Sequence, residues 1–301
     1  MMVMMRRGVV GFPTTAVRCS WPRRGRARAF ATFVNRRTFA EKRMAINLWS
    51  GPRCSSTSLM YAFAQRSDCA VVDEPLYAYY MKEMPEETRP YKDDLMRYQS
   101  SDGDKVVDDI MAFRHHRLHA SDYVSPEEGK DHVFYKHMAK HMLPSLRKDF
   151  LFECPNIILI RDPEKILKSY TRALGSVQLK DTGLVEQAQL FDMLHKHNVP
   201  VPVVCNDTLM KRPEETLKLL CSFLGIEWDP AMLSWEAGGR QEDGCWAYLW
   251  YEGTHKRTGF GVGSYSPPAV DTEDGEPSID PQVLDESMAL YEKLLQFRIS
   301  P

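Results

Sequence analysis

Residues 45–63, AINLWSGPRCSSTSLMYAF, set a Gly-Pro-Arg turn and a run of hydroxyl side chains between a short apolar stretch and a helical pattern. A helix entered this way offers unpaired backbone N–H groups and the positive end of its dipole to an anion. Ser55, Ser56, Thr57 and Ser58 add hydroxyl donors, and Arg53 adds a guanidinium that can fork onto phosphate or sulfate oxygens. The same residues also suit a plain N-cap. The Gly-Lys-Ser/Thr ending of a nucleotide triphosphatase loop is absent. Further along, RDPEKILKS sets Arg161 eight residues before Ser169, and YKHMAKHML (135–143) brings Lys136, His137 and His141 together. His137 and His141 would share one face if a helix began there. The segment WAYLWYEGTHKRTGFG (246–261) combines aromatics with His255, Lys256 and Arg257, and Trp246 and Trp250 are spaced to share a helix face.

These residues need elements to position them, and the pattern predicts an α/β protein. Apolar runs at 44–49, 69–75, 132–137, 156–163 and 201–206 read as strands, and helical spacing appears at 55–67, 184–197, 213–225 and 283–297. Residues 76–120 are polar and helix-rich. Strands alternating with helices imply a mostly parallel sheet covered on both faces, in three α/β/α layers. Sites in such folds lie beyond the carboxyl ends of the strands, where the residues above fall. The Pro- and acid-rich stretch 264–282 reads as a surface loop inside a single domain, 44–301.

Strand–Pro-Arg-Cys-Ser-Ser-Thr–helix together with strand–Arg-x7-Ser–helix resembles the sulfotransferase superfamily, a P-loop fold, over about residues 44–260. The detail WSGPR, DEPLY, YKHM, LIRDP, LSW and TGF resembles the sulfotransferase-like proteins of plants, algae and bacteria. Some of those are joined to an aminotransferase-like domain, which is not expected within these 301 residues. The resemblance implies that the first loop, Arg53 to Ser58 with Cys54 included, holds the 5′-phosphosulfate of 3′-phosphoadenosine 5′-phosphosulfate (PAPS). Arg161 and Ser169 would hold its 3′-phosphate, joined by Lys256 or Arg257. Glu74 matches a strand-end glutamate that serves as base in carbohydrate sulfotransferases. Its neighbour Asp73 should face the other way, because side chains alternate along a strand. Cytosolic members carry Lys-x-His where this chain has Lys136 directly followed by His137, so those roles do not transfer by spacing. Lys136 would stabilise the leaving oxygen, with His137 as an alternative base. Many members also have Ser-Gly where this chain has Cys54-Ser55, and cytosolic members often have lysine in place of Arg53. PAPS would be a co-substrate, with no metal required.

Two other function classes compete. A P-loop kinase of a small metabolite would need the missing lysine and an acidic Mg²⁺ ligand. A binding module would keep the fold without turnover. The composition narrows the field: 43% apolar and 27% charged residues over 301 positions suit one soluble domain. No apolar run approaches the roughly 20 residues of a membrane span. The seven cysteines are scattered without a Cys-x-x-Cys pair, which fits neither a zinc cluster nor a disulfide framework. Nine of the 39 basic residues are arginines in the acid-free stretch 1–40, leaving 30 basic against 41 acidic residues, net −11, in the remainder. That sum argues against nucleic acid and favours a small neutral or cationic acceptor. The Arg-rich leader 1–43 reads as a transit peptide for mitochondrion or plastid. If Met44 is instead the initiator, the protein is expected in the cytoplasm.

Overall fold

The apolar stretches pair as their spacing predicts. In the computed structural model, which describes residues 43–116, 123–124, 130–261 and 278–301, seven strands form two sheets. They are β1 (Met44–Ser50), β2 (Cys69–Asp73), β3 (His115–His116), β4 (Tyr123–Val124), β5 (His132–Met138), β6 (Asn156–Ile160) and β7 (Val203–Cys205). The main sheet is parallel throughout, in the order β2-β5-β1-β6-β7, and β3 and β4 form a small antiparallel pair. Parallel neighbours require long crossovers, and helices supply them. The leader, apart from Arg43, and most of the 264–282 loop lie outside the described residues.

Alternation along β1 builds the two cores. Ile46 and Leu48 face the helices Ser56–Ala64 and Pro213–Leu224, through Leu59, Phe63, Leu217 and Leu220. Ala45 and Trp49 face the opposite layer, where Leu190, Leu194, Tyr291 and Leu294 come from the helices Leu184–Lys196 and Pro281–Leu295. The result is an α/β/α sandwich. No helix among the described residues is long and apolar enough to cross a membrane.

The region read only as helix-rich holds the helices Tyr77–Glu83, Lys92–Tyr98 and Gly103–Met111. Between β7 and the helix Pro213–Leu224 the chain forms a further short helix, Asn206–Lys211. β1 lies between β5 and β6, with the chain leaving it first to one side and later to the other. A crevice opens at such a switch point.

Candidate functional site

The loop after β1 is tightly constrained. A side chain on Gly51 would meet the Thr182 carbonyl oxygen at 2.2 Å, so the backbone can pass only as glycine. Asn206 Nδ2 donates to the Cys54 carbonyl (2.8 Å) and pins the turn from the β7 side. Arg53 and Ser55 both have φ of 61°, the left-handed region. Ser55, at ψ 27°, is the N-cap of helix Ser56–Ala64 and makes no side-chain cap. It takes by strain the conformation a glycine takes freely. Cys54 turns into the core, 1% exposed, and burial pushes its thiol up to about 12.

Arg161, at the end of β6, donates to the Arg53 carbonyl, and Arg53 Nε donates to Ser169 Oγ (3.0 Å) from helix Pro163–Leu174. These residues lie 108 and 116 positions apart in sequence and meet at one end of the sheet. Arg161 Nε is buried with no hydrogen-bond partner. Burial and the neighbouring Arg161 charge hold the Arg257 guanidinium below the usual arginine range. Cations crowded together with an orphaned donor suit an oxyanion. Buried Asp243 accepts from Tyr61 Oη (2.7 Å) and pairs with His255 (2.9 Å), fixing the segment that carries Arg257.

Across the crevice stands a buried charge cluster. Lys136 and Asp73 are register partners on β5 and β2, so their side chains share a face. Glu74, one residue beyond β2, has φ of 43°, which breaks the alternation. Both carboxylates therefore reach Lys136, at 2.7 Å from Asp73 Oδ1 and 2.6 Å from Glu74 Oε1, and of the two only Glu74 lines the cleft, as the sequence led one to expect. Tyr251 Oη takes the third ammonium donor at 2.5 Å and also bonds Asp73 and the Trp246 indole. All three Lys136 donors are thus used. Burial alone would lower the Lys136 amine, but the two carboxylates outweigh it and hold it above the ordinary range. Burial, with help from Asp73, raises the Glu74 carboxyl against the pull of Lys136. His141 Nδ1 lies 3.9 Å from Glu74 Oε2.

Arg53, Arg161, Ser169 and Arg257 on one side and Glu74, Lys136 and Tyr251 on the other line one cleft of about 430 Å³. Among the described residues its wall carries nine basic side chains (Arg53, Arg89, Lys136, Lys140, Arg161, Lys165, Lys168, Arg172 and Arg257) and one carboxylate, Glu74. The negative sum over the body therefore does not describe the cleft, whose field is the reverse.

A family model, the sulfotransferase domain, matches residues 44–282. The chain belongs to the sulfotransferase family. Two curated relatives from Arabidopsis thaliana are similar to this member over 215 residues. Branched-chain-amino-acid aminotransferase-like protein 2 is 41% identical and protein 1 is 37% identical, each over 71% of this chain and 36% of the relative. The chain thus spans about a third of the length of the relatives it matches. The sulfotransferase domain from the Synechococcus PCC 7002 olefin synthase aligns at 15% identity and a TM-score of 0.46, over 85% of this chain and 95% of that one.

In this sulfotransferase-family chain the cleft gathers Arg53, Ser55, Ser56, Thr57, Ser58, Glu74, Lys136, Arg161, Ser169 and Arg257. Three residues singled out from the sequence are placed elsewhere. Besides Cys54, Lys256 turns outward and pairs with Glu252 (2.5 Å). His137 follows the alternation of β5 to the opposite face, stacks on Trp49 (4.2 Å) and bonds Asn47 Oδ1 (3.0 Å). It is fully buried, and its imidazole is pushed down to about 3 by burial and then by Lys136. His141 does not share its face, because Ala139–His141 is a 3₁₀ turn after the strand. Tyr251, Arg89 and Lys140 were not singled out from the sequence. Lys140 lies four residues after Lys136, but no single-sequence pattern separates such a lysine from a surface one.

Proposed function

We propose that this chain transfers a sulfuryl group from PAPS to a hydroxyl or amine of a small acceptor. The observation that carries this reading is the meeting of Arg53, Arg161 and Ser169 beside the β1 loop, with Arg161 Nε buried and unpartnered. An arginine–serine pair from a second strand–helix unit, meeting the loop at Arg53, adds a second set of donors and suits a ligand with more than one anionic group. Bound PAPS supplies an activated sulfuryl group on a good leaving phosphate. The protein's share is positioning, charge stabilisation and one proton transfer.

The backbone N–H groups opening helix Ser56–Ala64, with the Ser56–Ser58 hydroxyls and Arg53, would hold the phosphosulfate end. Arg161, Ser169 and Arg257 would hold the 3′-phosphate. Glu74 would take the acceptor proton on Oε2, since Oε1 is engaged by Lys136. A carboxyl raised above its ordinary range is better matched to that task near neutral pH. Lys136, with Asp73 and Tyr251 as braces, orients Glu74, and it reaches a leaving oxygen only by releasing one of its three partners.

The test is turnover of PAPS by the full chain with a panel of phenols, alcohols and amines, following release of 3′-phosphoadenosine 5′-phosphate. Acceptor-dependent release that is lost in Glu74→Gln supports the reading. Release that ignores both acceptor and Glu74 contradicts it.

A further inference from the structure

We infer that the acceptor is an anion, a small hydroxy acid whose carboxylate is held by Lys140 while its hydroxyl faces Glu74. This rests on the sulfotransferase reading above. Lys140 lies in the turn Ala139–His141, lines the cleft and is only 8% exposed. Its contact is the face of Tyr80, 5.4 Å from the ring centre, and among the described residues it has no hydrogen bond or ion pair. A buried ammonium without a counter-charge is costly and seldom retained. The carboxylates near enough to be felt are already engaged. Glu87 pairs with Arg89 (3.0 Å), and Asp181 accepts from the Gln178 backbone N–H (2.9 Å) in the cap of helix Leu179–Thr182. Burial and then the Arg89 charge hold the Lys140 amine below the ordinary lysine range, and an incoming anion would relieve both.

The charges that act most on Lys140 are Arg89, Glu87, Asp181 and Glu74. A chain of contacts leads from it to Glu74: its ammonium lies over the Tyr80 ring, Tyr80 packs on His141 (4.7 Å between ring centres), and His141 Nδ1 lies 3.9 Å from Glu74 Oε2. Between Lys140 and Glu74 stands His141, whose two ring nitrogens are buried without partners and whose ring stacks on Tyr77 (4.5 Å). Trp246 and Tyr91 continue that wall. A molecule with a hydroxyl at one end, a flat or apolar body and a carboxylate at the other matches this order of groups. The neutral or cationic acceptor suggested by the whole-chain charge does not.

The experiment uses the full chain saturated with 3′-phosphoadenosine 5′-phosphate. Calorimetry measures affinity for paired probes, phenolic and aliphatic hydroxy acids and their uncharged carboxamides. The inference expects at least one acid to bind about ten-fold or more tightly than its carboxamide. Lys140→Met should abolish that preference while changing bisphosphate affinity by less than about two-fold, with Lys140→Gln as a second variant. Losing an unpaired buried cation should not lower the Tm of either variant. No acid outbinding its carboxamide overturns the inference. So does equal weakening of bisphosphate and acid, which would assign Lys140 to the donor. Failure of the wild-type chain to bind the bisphosphate overturns the sulfotransferase reading itself and is seen before any acid is added.

Discussion

Replacing Lys136 by methionine keeps the length of the side chain and removes the charge at the centre of the Asp73–Glu74–Tyr251 cluster. The ammonium is fully buried and its donors meet Asp73 (2.7 Å), Glu74 (2.6 Å) and Tyr251 (2.5 Å). Without it, two carboxylates stay buried with no cation between them. Breaking a buried pair in this way costs about 3–5 kcal/mol. At about 2–4 °C per kcal/mol for a domain of this size, Tm should fall by roughly 6–20 °C. The loss should also depend on pH. A carboxyl raised in the folded state contributes stability below its unfolded pKa and loses it as pH rises through the folded one. Glu74 is already raised, and more so without Lys136, so the deficit should be largest at neutral pH and shrink in mild acid. Urea unfolding from about pH 5 to 8 reads this directly. In the double variant Asp73→Asn, Lys136→Met, about 1 kcal/mol or more should be recovered. A loss under about 1 kcal/mol at every pH, or strict additivity in the double variant, would refute a dry, coupled cluster.

Three other outcomes are expected. Glu74→Gln should lower kcat by about 10²–10⁴-fold while leaving bisphosphate affinity nearly unchanged, measured by steady-state kinetics beside calorimetry. Ser55→Gly should remove about 1–2 kcal/mol of left-handed strain against about 0.5–1 kcal/mol of added chain entropy, so urea unfolding should show a small net gain; a clear loss would contradict strain at φ 61°. His137 is held neutral down to about pH 3, whereas the unfolded imidazole takes a proton near 6.5, so its contribution is lost as pH falls through that window. In His137→Phe the acid dependence of unfolding should therefore be shallower by about 1.4 kcal/mol per pH unit below about pH 6.

The order of elements was legible because aliphatic runs such as NIILI and the punctuation by Pro163, Pro213 and Gly225 carry period and boundary in the local chain. The loop at 51–58 and Arg161 were legible because strand ends in a parallel sheet converge on one edge, and Ser169 because Arg-x7-Ser resembles the sulfotransferase pattern. That Asp73 would share Lys136 with Glu74 was not legible, since their joint approach depends on one positive φ at Glu74 that no local pattern encodes. His137 was misplaced for a related reason. Its strand continues to Met138, so a residue next to Lys136 must take the other face. Tyr251 comes from 115 residues beyond Lys136, and only tertiary packing brings the two together. The charge of the cleft was hidden because a sum over the chain averages a concentrated basic wall with an acidic exterior.

Whether the Arg53–Arg161–Ser169 edge is a donor site for PAPS is decided by titrating the full chain with 3′-phosphoadenosine 5′-phosphate and, in parallel, with ATP and Mg²⁺. Binding of the bisphosphate in the micromolar range without metal is expected, weakened about ten-fold or more in Arg161→Ala. Preference for ATP with Mg²⁺, or bisphosphate binding indifferent to Arg161, would contradict that assignment.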